Sequence, residues 1–142
     1  MSEYEATRTM PAVAELVFDE ASDLGAMYRW LPGELDVQPG EPPEATVTVE
    51  HLDPSGRPMR ERALAEVRNE QMRVEWGTRD TGRYAGWLQV EGRGAGVSEV
   101  TVHLSFFSPG HPPLPPQQVQ AELEESLDRL AEQVRLRAES TG

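Results

Sequence analysis

The C-terminal quarter of the chain is the feature that most constrains the fold. Apolar residues recur there every three or four positions and charged residues fill the positions between; the apolar set is Val119, Leu123, Leu127, Leu130 and Val134. This spacing predicts an α-helix over residues 116–138, which at about 1.5 Å per residue would be roughly 34 Å long. Its apolar stripe is single and narrow, so we expect one broad partner surface, namely a sheet.

The preceding region predicts that sheet. Alternation is clearest near residues 100–107, where Val102, Leu104 and Phe106 share one face and His103 lies on the other. Similar patterns predict strands over the ranges 3–10, 45–51, 58–68, 72–76 and 84–90, although 60–68 also fits a helix. The expected order is one strand, two short helices at 11–18 and 21–29, about six strands, and the long helix.

Composition excludes several kinds of chemistry. The chain has 142 residues without cysteine, lysine or isoleucine, and its formal net charge is −12. Thiol catalysis, disulfides and lysine Schiff bases are therefore absent, and we expect no binding to nucleic acid. No apolar run reaches the ~20 residues of a membrane span, and the N-terminus does not resemble a secretory signal. We expect a cytoplasmic protein, and the arginine-only basic set suggests a GC-rich bacterial genome.

Motifs for metals and phosphates are weak. The histidines His51, His103 and His111 lack the close spacing of metal ligands, so we expect no metal and no cofactor. The glycine-rich segment 92–96 lies between two predicted strands, whereas a phosphate-binding loop joins a strand to a helix. We interpret it as a hairpin turn. No Gly-x-Ser-x-Gly elbow exposes a serine nucleophile.

The order of elements resembles the START-like superfamily, and more narrowly its bacterial polyketide cyclase/dehydrase and lipid-transport proteins. The resemblance is carried by Trp30-Leu31-Pro32 after the short helices, by the strand from Gly82 to Val90, and by Val100 to Gly110 running into the long helix. It implies one domain over residues 1–142 with an α+β helix-grip fold. In that fold a curved antiparallel sheet of about six to seven strands wraps the C-terminal helix and encloses a cavity.

The residues expected to bind a ligand in that cavity are apolar or aromatic. They are Trp30, Trp76, Tyr84, Leu88, Val102, Leu104, Phe106, Leu123 and Leu127. Should the protein be an enzyme, Tyr84 would donate a proton and Arg62 would stabilise a carbonyl or enolate.

Three functions remain open at this point. The first is binding of a hydrophobic or amphipathic small molecule such as a polyketide, lipid or aromatic metabolite. The second, permitted by the resemblance, is a polyketide aromatase/cyclase that promotes aldol closure and dehydration. The third is an acidic protein-interaction module. In each case we expect a monomer or homodimer that does not insert into membranes.

Overall fold

A computed structural model describes the ranges 2–23, 26, 29–30, 35–39, 44–52, 58–78, 84–106 and 116–141. Within these ranges the chain forms seven strands and two α-helices, and a 3-10 turn spans Asn69–Gln71. In chain order the strands and helices are β1 (Ser2–Met10), α1 (Ala14–Ala21), β2 (Leu35–Pro39), β3 (Glu44–Leu52), β4 (Pro58–Arg68), β5 (Arg73–Thr78), β6 (Tyr84–Gly94), β7 (Val97–Phe106) and α2 (Pro116–Thr141).

The seven strands form one antiparallel sheet in the order β1-β7-β6-β5-β4-β3-β2. Strand β1 therefore joins the sheet beside the last strand, as its pairing of Ala6 with Val102 illustrates. The remaining strands follow one another as a meander, and β2 ends the sheet at the opposite edge. This sheet with its long C-terminal helix is the predicted α+β helix-grip fold.

Helix α2 lies along the β1 edge of the sheet. The Gln120 side chain donates a hydrogen bond from Nε2 to the Glu5 carbonyl at 3.0 Å, and Arg8 Nη1 lies 3.2 Å from Asp128 Oδ1. The β2–β5 half of the sheet makes no comparable close approach to α2 among the described residues. The helix thus provides a hydrogen-bond donor to one backbone carbonyl of this edge strand.

The core forms where the apolar stripe of α2 meets the inner face of the sheet. Leu130 and Val134 are fully buried from the helix, Met10 and Val100 from β1 and β7, and Val17 from α1. Burial of such side chains contributes roughly 1.5–3 kcal/mol each, so these contacts are the main stabilisation of the α2 position. The predicted stripe is therefore the buried face of the helix.

The strands predicted from alternation are confirmed with small changes in their ends, and the ambiguous range 60–68 is strand. One prediction was wrong in detail. The first short helix begins at Ala14, three residues later than expected, because Val13 is extended at φ −66° and ψ 154°. The Ser98 hydroxyl donates a 2.7 Å hydrogen bond to the Ala12 carbonyl, and this holds residues 11–13 against β7. Pro11 therefore precedes the helix.

Strand β2 was not predicted as a separate element. The second short helix was expected from residue 21, but Ala21 is the last residue of α1 and Ser22 is its C-cap. Residues 24, 25, 27 and 28 of that predicted helix, the turn after Trp30 and the proline-rich connector before α2 lie outside the described residues. The hairpin turn predicted over 92–96 is shorter in the structure, because β6 continues to Gly94 and only residues 95–96 separate it from β7. Its Gly94, Ala95 and Gly96 all have positive φ, at 80°, 54° and 74°.

Candidate functional site

The inner face of the sheet is organised in rows that run across the strands. We call the first the rim row, which comprises Tyr4, Leu104, Gly86, Trp76 and Ala65. We call the next the floor row, which comprises Ala6, Val102, Leu88, Val74 and Val67. Each row is set by antiparallel register, because residues directly opposite each other on neighbouring strands point to the same side.

Burial differs between the two rows on β1, β7 and β5, whereas on β4 the order is reversed, with Ala65 of the rim row 3% exposed and Val67 of the floor row only partly buried. In the floor row Leu88 and Val74 are 1% exposed, and Val102 is 5% exposed. In the rim row Tyr4, Leu104 and Trp76 are only partly buried. The accessible apolar surface of the inner face therefore lies at the rim row, while the sheet beyond the floor row is closed by α1, α2 and their contacts.

Trp76 lies against the backbone of Gly86 on the neighbouring strand. A Cβ atom built on Gly86 would fall 2.5 Å from Trp76 Cε2 and 2.6 Å from both Nε1 and Cζ2. If this Cβ lay in the plane of the indole, outside the ring next to Cε2, it would be nearer to Nε1 and Cζ2 than to Cε2. The observed order is the reverse, so Gly86 lies beneath the face of the indole.

Trp30 is held against α2 by its backbone. Its carbonyl accepts a 3.2 Å hydrogen bond from Arg129 Nε, and the same guanidinium donates to Ser126 Oγ. The Trp30 side chain is 4% exposed, yet its indole N–H finds no hydrogen-bond acceptor in the described part of the chain. An unpaired buried donor costs about 1–3 kcal/mol, which makes this N–H unusual in the core.

Most residues predicted to bind a ligand come together on the inner face. Leu88, Val102, Leu123, Leu127 and Trp30 belong to one buried cluster, and Trp76 and Leu104 pack against it. The first five are packed core residues, and only the last two retain accessible surface. Sequence reasoning missed Tyr4, which lies opposite Leu104 in the rim row; its alternation with Ala6 and Met10 was the available signal.

The two predicted catalytic residues have different positions in the sheet. Tyr84 lies opposite Phe106 and has the strand parity of Gly86, which is that of the inner face. Arg62, in β4, lies opposite Thr48 of β3. It has the strand parity of Arg68 and not that of the inner-face residue Ala65. The side chains of Tyr84, Phe106 and Arg62 are outside the described part of the structure. Both catalytic roles stay predictions, and the register supports only Tyr84.

The outer face of the sheet carries polar and aromatic side chains that contact one another. Trp87 stacks on His103 with ring centroids 5.3 Å apart, and the Arg73 guanidinium lies 4.5 Å from the Trp87 ring centroid. His103 Nδ1 lies 3.2 Å from Glu5 Oε1, and Arg73 Nε donates to Glu75 Oε1 at 2.8 Å. Trp87 therefore belongs to the outer face, away from the rim row.

The described residues contain no cluster of three or more histidine and carboxylate side chains that could hold a metal ion. Among the same residues, neither α1 nor α2 is long and apolar enough to cross a bilayer.

A helix gripped by an antiparallel sheet with an accessible apolar inner face defines a START-like protein. The family model described as polyketide cyclase/dehydrase and lipid transport matches residues 1–135. The chain belongs to that family. A search of curated proteins found no match.

Solved structures share the fold at low sequence identity. A protein from Thermus thermophilus has a TM-score of 0.71 and 20% identity, covering 95% of this chain and 98% of that chain. The Zhui aromatase/cyclase from Streptomyces sp. R1128 has a TM-score of 0.70 and 15% identity, covering 99% and 98%. A START superfamily protein from Mycobacterium smegmatis has a TM-score of 0.62 and 18% identity, covering 99% of both chains.

Proposed function

We propose that this protein binds a hydrophobic or amphipathic small molecule between the inner face of the sheet and α2. The observation that carries the proposal is a contrast along two strands: Leu104 and Trp76 keep accessible surface, whereas Val102 and Val74 directly behind them are buried. An apolar inner face that is accessible at one end and closed at the other has the form of a ligand site.

The Trp30 indole supports an amphipathic ligand. Its N–H is buried and lacks an acceptor among the described residues. Since Trp30 is a packed core residue, an oxygen atom of the ligand would supply the missing partner only by opening the packing around this N–H on binding. The apolar rows would contribute affinity, and this donor would favour a ligand that carries a carbonyl, ether or hydroxyl group.

Native mass spectrometry of gently purified protein, followed by organic extraction, tests the proposal directly. We expect a co-purifying apolar or amphipathic molecule, or binding of members of a panel of lipids and aromatic polyketides in titrations. Protein that carries no such molecule and binds none of the panel would overturn the proposal.

A matched pair of variants locates the site. L104E places a carboxylate in the rim row and should weaken binding about tenfold or more, since an apolar ligand would have to desolvate the charge. T101E places the same charge on the outer face of the same strand, where Thr101 contacts Thr7. It should leave binding unchanged. Equal losses in the two variants would place the ligand elsewhere.

A second candidate function is polyketide cyclisation with dehydration. It is favoured by the description of the family and by the position of Tyr84 at the inner parity of β6. The Tyr84 phenol would then act as proton donor to a ligand held over the rim row. The test is turnover of a cyclisable poly-β-ketone by the unmodified protein and by Y84F, which removes only the hydroxyl. Loss of turnover with retained binding supports catalysis, and binding without turnover in either protein supports the binder.

A further inference from the structure

Gly86 is the position in the rim row where the sheet has no side chain. The indole of Trp76, on the neighbouring strand, occupies the space that a side chain at position 86 would fill. Three of its ring atoms lie within 2.6 Å of the position of an ideal Cβ on Gly86. Real Cβ atoms do not make such contacts, so any other residue at position 86 would displace the indole. The indole is a rigid bicyclic ring, and its position here is therefore set by the lack of a side chain on β6.

The position of the Trp76 indole affects the accessible part of the candidate site. Trp76 lies on the inner face opposite Gly86 and Ala65, and it is partly accessible, in contrast to Val74 behind it on the same strand. An indole lying face-down on a strand occupies little depth above the sheet and presents a flat aromatic surface. Flat aromatic molecules gain stacking energy on such a surface, whereas saturated rings of the same carbon skeleton are thicker and cannot stack.

We propose that Gly86 is a specificity-determining residue, which acts by seating the Trp76 indole flat on β6 so that the site prefers a planar aromatic ligand. This inference rests on the proposed binding function. Gly86 is a positioning residue: it acts through Trp76, and its effect on selectivity depends on the indole being present.

The test uses isothermal titration calorimetry with two probes of equal skeleton, 2-naphthol and trans-2-decalol. The unmodified protein should prefer 2-naphthol by about two- to twelvefold, which is the range expected for one aromatic contact. G86A should abolish the preference because its methyl group lifts the indole into the site. W76L should also abolish it. This variant should bind trans-2-decalol more tightly than the unmodified protein, because the smaller leucine leaves more space above the sheet.

The double variant G86A/W76L distinguishes seating from a general defect in β6. Without the indole the added methyl group meets no ring, so G86A should change neither affinity by more than about twofold in the W76L background. Thermal unfolding of all four proteins accompanies the titrations. If G86A alone fails to fold while G86A/W76L folds, the steric coupling is confirmed, and the W76L titrations then decide selectivity.

The outcomes separate the two proposals. Binding of neither probe nor of any wider panel member by the unmodified protein overturns the proposed function and this inference with it. Binding without a preference for 2-naphthol, or a preference that survives in G86A or W76L, overturns the inference alone. An equal effect of G86A in the presence and absence of Trp76 also overturns it.

Discussion

Substituting Arg137 by glutamine would remove the cation that pairs with a buried carboxylate between the two helices. Arg137 Nη1 lies 3.0 Å from Glu20 Oε2, and the Glu20 side chain is only 4% exposed while that of Arg137 is 38% exposed. Without the guanidinium, the buried Glu20 carboxyl group would lose this ion-pair partner. The variant R137Q should therefore unfold more easily than the unmodified protein.

The magnitude follows from the unequal burial of the pair. Breaking a fully buried pair costs about 3–5 kcal/mol, and an exposed pair is worth about 0–1 kcal/mol. Since solvent screens the Arg137 side, we expect R137Q to lose about 2 kcal/mol of unfolding free energy, or about 7 °C in Tm for a chain of this size. E20Q should lose less, about 1 kcal/mol or less, because it removes the buried charge and its amide oxygen still accepts from Arg137.

Urea unfolding followed by circular dichroism measures these differences. The matched control is R135Q on the same helix, whose ion pairs with Glu132 and Glu139 are solvent-exposed, and we expect little change there. A loss in E20Q equal to or greater than that in R137Q would refute the reasoning, because the penalty would not come from an unpaired buried carboxylate. A loss in R137Q no larger than in R135Q would refute it as well.

Three further predictions concern local features. A95G should raise the free energy of unfolding by about 0.5–1 kcal/mol in urea melts, since Ala95 has a φ of 54° that glycine adopts without strain; no gain would contradict this account. S98A should cost about 1–3 kcal/mol by the same assay because it leaves the buried Ala12 carbonyl without its 2.7 Å partner, whereas S140A at an exposed hydroxyl is the control. The hydrogen bond from Arg135 lowers the pKa of the Glu132 carboxyl, so its stabilising contribution is present above the unfolded-state pKa and is lost as pH falls through the folded-state pKa. Carbon NMR titration should show the Glu132 midpoint moving up in R135Q, and an unchanged midpoint would contradict this cause.

The long helix and the last strand were predictable because each has one periodic apolar face and buries that face against one layer. Strand β2 was not, because Leu35–Pro39 is short, contains an aspartate and ends in proline. Such a segment has low intrinsic strand preference, and it forms a strand at the edge of the sheet, where a proline need not donate to a further partner. The start of α1 depends on the Ser98 to Ala12 hydrogen bond, which joins residues 86 positions apart and leaves no local signal.

The sequence predicted which residues of the candidate site share the inner face of the sheet, but not which of them are accessible to a ligand. Strand parity places Leu88, Val102 and Leu104 together, but it does not distinguish a residue that packs from one that lines an opening. That distinction depends on which row α1 and α2 cover. The seat of Trp76 on Gly86 depends on cross-strand register, which becomes visible only once β5 and β6 are paired.

The difference in burial between the two rows determines how much stability a substitution in the proposed ligand site would cost. Four of the five floor-row side chains, all except Val67, are buried, so shortening Leu88 to alanine would cost about 2–5 kcal/mol of stability whatever the ligand. Side chains of the rim row have fewer core contacts to lose, because Leu104 and Trp76 are only partly buried. Substitutions there can alter the shape of the opening at a smaller cost in stability. Under the proposed binding function, selectivity can therefore vary in the rim row while the buried floor-row residues and the α2 stripe maintain the fold.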